Sequence, residues 1–318
     1  MEPIKKIIML TAGGLIILGF IIAMAAFALG GFNWRTLNAS LPDEKKSYTY
    51  DLAGVSNLSL SELDTDVKIV GIDGDQIKIE CYENEKDSYT IKLLENGNLS
   101  IDRSLFKHWY EQIGFLNFNL QNKKRELTVA IPKKFSGELE VSTVSGNLIV
   151  SDLDHLKDVN TSTSAGQIDL KNLSIAQQLA ASTISGNLDL SQVSAGGNLE
   201  LGTASGTIQV SQGKTDGSLS ASSLSGAMKF DETTIAGPTT IENSSGNIQF
   251  NKLSGHDFYF SNLSGNIRGS LLGDPATYTI TADSLSGKQN LPNFGNGKNS
   301  LEVSTASGNI DIEFLPVN

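Results

Sequence analysis

The stretch "STVSGNLIV", Ser142 to Val150, returns as "STISGNLDL" from Ser182 and as "STASGNIDI" from Ser304. Its glycine serves as a ruler along the chain. The copies place it at Gly146, Gly166, Gly186, Gly206, Gly226, Gly246, Gly265, Gly287 and Gly308, in steps of 20, 20, 20, 20, 20, 19, 22 and 21 residues. A fixed period in this range marks an architecture built by stacking one unit on the next.

The residues around the ruler say what that unit is. Two and four positions after the glycine stand apolar pairs such as Leu148/Val150, Ile168/Leu170, Met228/Phe230 and Ile310/Ile312. Seven and five positions before it stand Leu139/Val141, Leu199/Leu201, Phe258/Phe260 and Leu301/Val303. Both sets alternate apolar with polar, the pattern of a half-buried strand, and no window from Ser136 onward sustains a helical stripe. Each repeat therefore reads as two short strands with turns. A propeller blade needs about 40 residues or more, so a coil of this length fits a stacked β-helix instead. The expected fold class is all-β: a single-stranded parallel β-solenoid, right-handed because parallel crossovers are, with coils about 4.8 Å apart.

Within the repeat, Thr143, Thr163, Thr183, Thr203, Ser223 and Thr305 should form one ladder, and Ser145, Ser185, Ser205 and their equivalents another. Such hydroxyls satisfy turn backbone or one another. The glycine either needs a positive φ or lets neighbouring backbone approach closely, and both readings stand at this point.

The solenoid repeats are expected over 136–318, and a degenerate coil appears upstream. With Thr65 in the glycine's place, Leu58, Leu60, Leu63, Val67, Ile69 and Ile72 occupy the apolar positions. This reads as the first coil of a segment, 48–135, that also holds a small antiparallel β excursion. Its strands are expected at Gln76–Cys81, Ser88–Leu94, Asn98–Asp102 and Glu126–Ile131, with turns at Asp73-Gly74 and Asn96-Gly97. An insertion over 103–124 packs Phe106, Trp109, Tyr110, Phe115 and Phe118 together. It reads either as a cover for the end of the solenoid or as a partner-binding patch, since exposed aromatics mark interfaces. Asn290–Asn299 reads as a loop that interrupts the last coils.

Ile7 to Phe32 carries no charge and follows Lys5 and Lys6. It is long enough to span a bilayer and predicts one N-terminal transmembrane helix over 7–32, a signal-anchor. The tail 1–6 would be cytoplasmic, 33–47 a linker, and the bulk of the chain extracytoplasmic at the cell membrane. Cleavage after Ala26-Phe27-Ala28, giving a secreted protein, is the alternative.

The search for chemistry returns little. The net charge of −11 argues against a nucleic-acid partner, and the single Cys81 excludes a disulfide framework within the chain. His108, His155 and His256 are scattered, and no cofactor or metal fingerprint is present. Asp64, Asp66, Asp73 and Asp75 cluster without calcium-loop spacing and read as turn residues. Asp169 and Asp189 should lie one coil apart, near the carboxylate separation of a retaining glycosidase. They are the one candidate pair for a polysaccharide-acting enzyme, against a solvated polar stripe.

The "L-x-V-x-T-x-SG-x-L/I-x-V" repeat at Leu139–Val150 and the upstream "RELTVAIPKKFSGELEV" together resemble the bacterial "putative adhesin" β-strand-repeat family, a domain of unknown function in envelope proteins. The resemblance covers most of the chain. It implies a right-handed β-helix, a frequent N-terminal anchor and the company of envelope-stress regulators, and it supplies no catalytic residue. The functional expectation is a non-catalytic cell-surface binding, adhesin-like or structural module whose partner is wall polymer, a surface ligand or a membrane protein. The alternative is an accessory or sensor protein of envelope-stress signalling.

Overall fold

The computed structural model of the chain describes residues 42–85, 87–105, 125–293 and 295–317. The run Ile7–Phe32 and the aromatic residues Phe106, Trp109, Tyr110, Phe115 and Phe118 lie outside them.

Each repeat makes one coil that contributes a strand to each of two sheets, one 14-stranded and one 12-stranded. Successive coils pair in parallel, with equivalent residues in register: Leu179 on Leu199, Thr183 on Thr203, Leu188 on Ile208. The alternation dictates which side chains meet. Leu139, Val141, Leu148 and Val150, with their apolar equivalents in the other coils, are buried between the two sheets in one continuous core. Each such aliphatic side chain contributes roughly 1.5–3 kcal/mol on full burial. Toward one end the core turns aromatic, and Phe250, Phe258, Phe260, Tyr278 and Phe314 pack with ring centroids 5.0 to 6.2 Å apart.

The stacking order differs from the chain order at both ends. We number the coils by position in the stack. Coil 1 is Asn98–Leu105 with Glu126–Pro132, and coil 2 is Asn57–Ser61 with Asp66–Ile72. Coil 2 lies between coil 1 and coil 3, which is Glu138–Thr143 with Leu148–Leu156. Coils 4 to 9 then follow the sequence, opening with Val159–Thr163, Leu179–Ser185, Leu199–Ser205, Leu219–Ser225, Thr239–Ser245 and Asp257–Ser264. Coil 10 is Asn299–Ser307 with Ile310–Leu315, and it stacks directly on coil 9. The earlier strand Tyr278–Ser286 lies beyond it as coil 11.

These observations correct the expected fold class. The chain is all-β with stacked parallel coils, but both sheets are mixed. Glu44–Asp51 and Gln76–Glu83 add antiparallel to one sheet at coil 1, and Asp87–Leu93 adds antiparallel to the other. The segments expected to form antiparallel strands at Asn98–Asp102 and Glu126–Ile131 instead run parallel to coil 2, because their alternation and length match a coil. The Thr65 copy is accordingly the second coil of the stack and not the first. No helix among the described residues is long and apolar enough to cross a membrane, so the expected fold with a transmembrane helix is not the one observed.

The repeat also holds a third short strand that the two-strand reading omitted. Leu173–Ile175 pairs with Val193–Ala195, after a turn whose pivot residue has φ between +47° and +61° in six successive coils: Asp152, Asn172, Gln192, Gln212, Glu232 and Lys252. Asp and Asn tolerate this left-handed region better than Gln, Glu and Lys do, so the turn is imposed by the buried strands on either side of it. On either side of residue 294, Asn293 and Gly297 bond to coil 11. The Ala282 N–H donates to Asn293 Oδ1 at 2.6 Å, and Thr279 Oγ1 donates to the Gly297 carbonyl at 3.1 Å. A strand edge left open would invite pairing with another chain, and these bonds cover part of it.

Candidate binding surface

The corner that holds the ruler glycine positions a row of exposed apolar side chains. Its geometry answers which of the two glycine readings applies. A Cβ on Gly186 would lie 1.9 Å from the Gly166 carbonyl oxygen, and the same near-contact recurs at all nine ruler glycines. Close backbone approach is therefore the common reason. Only some copies, such as Gly246 at φ 128°, add a positive φ.

The Thr ladder is the inner rail of this corner. Thr183 and Thr203 are buried, and their hydroxyls donate to the glycine carbonyls of the preceding coil, Gly166 at 3.2 Å and Gly186 at 3.3 Å. Asn243 and Asn262 do the same work through their side-chain amides at 2.8 and 2.7 Å. A further ladder escaped the sequence reading. Asn147, Asn187, Asn247, Asn266 and Asn309, each directly after a ruler glycine, accept from the backbone N–H one coil on, at 2.8 to 3.0 Å. The repeated "SGN" was its signal, since an Asn beside a turn glycine is placed to bond backbone.

With Thr turned inward, the residue after it must point out. That position holds Val144, Ile184, Leu224, Leu263 and Leu285, 51 to 88% exposed. From coil 6 to coil 11 these side chains border an open groove of about 780 Å³, floored by Ser222, Ser261 and Ser304 and edged by Glu242 and Asp283. Exposed apolar side chains scattered singly are ordinary, but several aligned along one edge beside a groove mark a contact surface.

The structure brings Asp169 and Asp189 together in register on adjacent coils. Each is engaged: Lys171 Nζ lies 2.6 Å from Asp169, and Gln167 Nε2 donates to Asp189 Oδ2 at 2.7 Å. Burial, and then the Asp169 charge, hold the Asp189 carboxyl above its ordinary value. A carboxyl whose folded pKa is raised takes up its proton before the unfolded chain does, so ionising it costs stability as pH rises through that value. Asp189→Asn should therefore stabilise the protein at neutral pH and leave it unchanged in acid. Urea unfolding at both pH values checks this, and equal effects would discard the coupling.

The four aspartates near coil 2 each have a partner, Asp73 the loosest at 3.9 Å from Lys133. Asp64 pairs with Arg103, Asp75 pairs with Lys134, and Asp66 accepts the Asn147 N–H at 2.9 Å. No group of three or more His, Cys, Asp or Glu among the described residues could hold a metal. His155 and His256 sit on different coils, and burial pushes the Cys81 thiol up to about 12, so it stays protonated and unreactive. The most buried charges form a separate cluster. Arg103, with its side chain 4% exposed, meets Glu62 at 2.6 Å and Asp87 at 2.6 Å, and Arg125 reaches the same Asp87 at 2.5 Å.

Among solved structures, the chain is similar at 15% identity to a putative cell adhesion protein from Clostridium sporogenes (86% of this chain and 100% of that one covered, TM-score 0.23). It is similar at 13% identity to a putative adhesin from Bacteroides fragilis (85% and 97% covered, TM-score 0.35). A third likeness, at 12% identity, is to a putative adhesin from Parabacteroides merdae (85% and 96% covered, TM-score 0.25). No curated protein matches it. Residues 55–313, from the strand that opens coil 2 to the one that closes coil 10, match the Toastrack DUF4097 family, and the chain belongs to that family.

Proposed function

We propose that this protein is a non-catalytic, adhesin-like binding module of the cell surface, whose working surface is the row of exposed aliphatic side chains beside the groove. The observation that carries the reading is the placement of Ile184, Leu224, Leu263 and Leu285 at an outward position of a corner otherwise lined by hydroxyls and amides. A solenoid that needed only to be stable would set polar residues there, since these side chains contribute nothing to the core. The reading is non-catalytic because the paired aspartates are each engaged, Asp169 by Lys171 of its own coil and Asp189 by Gln167 of the preceding coil, and lie on the other sheet.

The test is retention of the full-length protein on insoluble cell-envelope material, with released sugar assayed in the supernatant. Retention without release is expected, falling at least tenfold in the Leu224→Glu/Leu263→Glu variant. Sugar release abolished by Asp169→Asn would overturn the reading in favour of an enzyme. Undiminished retention of the double variant would remove the groove from it.

A further inference from the structure

The exposed row has an order that only the stack reveals. From coil 4 to coil 11 the outward corner residue is Ser164, Ile184, Ala204, Leu224, Ser244, Leu263, Ala306 and Leu285, as fixed by the register of the strands that carry them. Small and large alternate without a break. Knobs therefore stand two coils apart, about 9.6 Å, with a hole between each pair.

We infer that this edge binds a second copy of itself, in an antiparallel two-fold arrangement. The inference rests on the reading of the edge as a contact surface and names its partner. A two-fold axis lying in the interface, perpendicular to the stack, preserves each column of residues and reverses the coil order, as an isologous contact requires. With the axis between coils 7 and 8, coil 7 faces coil 8 of the second copy, 6 faces 9, 5 faces 10 and 4 faces 11. Every knob then meets a hole: Leu224 meets Ser244, Leu263 meets Ala204, Ile184 meets Ala306, and Leu285 meets Ser164.

Charge selects the same register independently. The sheet face beside the row carries Glu200, Glu242, Glu302 and Asp283, on coils 6, 8, 10 and 11. The axis sets these opposite coils 9, 7, 5 and 4. At the matching positions those coils present Tyr259, Ser222, Ala180 and Ser162, so no acid faces another. Moving the axis one coil toward coil 1 keeps knobs on holes but sets Glu140 of coil 3 against Glu302 of coil 10, and like charges placed face to face are unfavourable. Moving it the other way loses two coils from the contact.

The extent is adequate. Eight coils span about 34 Å, and a face three columns wide gives roughly 600–700 Å² per copy, close to the ~800 Å² of a standard specific interface.

Full-length Ile184→Cys protein is mixed with full-length Ala306→Cys protein under mild oxidation. A cross-linked heterodimer is expected from the mixture, and none from either variant alone, because each introduced cysteine faces the other position. Analytical ultracentrifugation should show a dimer that becomes a monomer in Leu224→Glu/Leu263→Glu with an unchanged circular-dichroism spectrum. A monomer at high concentration, or a dimer indifferent to that double change, overturns the inference. If envelope retention still depends on Leu224 and Leu263 while the protein is monomeric, only the self-association falls; if neither depends on them, the contact-surface reading falls too.

Discussion

Arg103→Ala removes about 3–5 kcal/mol of folding stability, the range expected when one member of a buried charge cluster is deleted. The Arg103 guanidinium holds Asp87 with two parallel bonds, Nε to Oδ1 at 2.8 Å and Nη2 to Oδ2 at 2.6 Å. It also donates from Nη1 to Glu62 Oε1 at 2.6 Å and to Thr65 Oγ1 at 2.9 Å. The Glu62 side chain has no exposure to solvent, so without its cation only the Tyr89 hydroxyl at 2.5 Å and a backbone N–H remain to satisfy it. Asp64, whose side chain is 68% exposed, serves as the control. Its pairing with the same arginine is screened by solvent, and Asp64→Asn should cost less than about 1 kcal/mol.

The acid limb of stability should carry the same signature. Burial alone would raise the Asp87 carboxyl, but its bonds to Arg103 and Arg125 overturn that and hold it below its ordinary value. A depressed carboxyl stabilises the fold above its unfolded pKa and loses that contribution as pH falls through its folded one. Wild-type stability should therefore drop more steeply below the usual carboxylate range than that of Arg103→Ala. Urea melts followed by far-ultraviolet circular dichroism across that range measure it, and parallel pH profiles would separate Asp87 from the arginine.

Gly186→Ala is the second large effect. The added carbon meets the Gly166 carbonyl oxygen at 1.9 Å and its carbon at 2.6 Å, and both atoms belong to backbone that is itself locked in the ladder. No side chain can swing away. The coils must separate locally, which breaks the Thr183 bond to the same carbonyl, and a loss of about 3 kcal/mol or more is expected from such overpacking. The chain contains its own control. Thr65 occupies the ruler position of coil 2, and the described residues of coil 1, Asn98–Leu105 and Glu126–Pro132, place no repeat glycine beneath it. Thr65→Gly should accordingly bring no stabilisation from relieved crowding, and a gain there would contradict the account.

The ruler made the coil, its strands and its inner hydroxyl rail legible from sequence, because stacking forces equivalent residues into identical surroundings. Three features were not legible, each for a physical reason. The period says which residues are equivalent but not which coil lies on which, so Gly287 and Gly308 read equally well in either order. The alternation of knobs depends on that order: in the sequence Leu263 and Leu285 are consecutive large residues, and only the stack sets Ala306 between them. The Arg103 cluster joins residues about 40 positions apart across segments without a repeat, where no spacing rule applies. The aromatic insertion, which reads either as a cover for the end of the solenoid or as a binding patch, lies outside the described residues, and the exposed aliphatic row is the candidate surface.

The exchanged order of coils 10 and 11 bears on how the protein is made. A ribosome delivers Tyr278–Ser286 before Asn299–Leu315, yet the earlier strand rests on the later one. Coils 3 to 9 can be laid down one upon another as they emerge, but assembly cannot finish in that manner. Tyr278–Ser286 must wait, its hydrogen-bonding edge unmatched, until the following segment threads between it and coil 9. Completion of the stack is thereby tied to arrival of coil 10, and a nascent chain stalled before Asn299 would present an adhesive end to whatever quality control patrols its compartment.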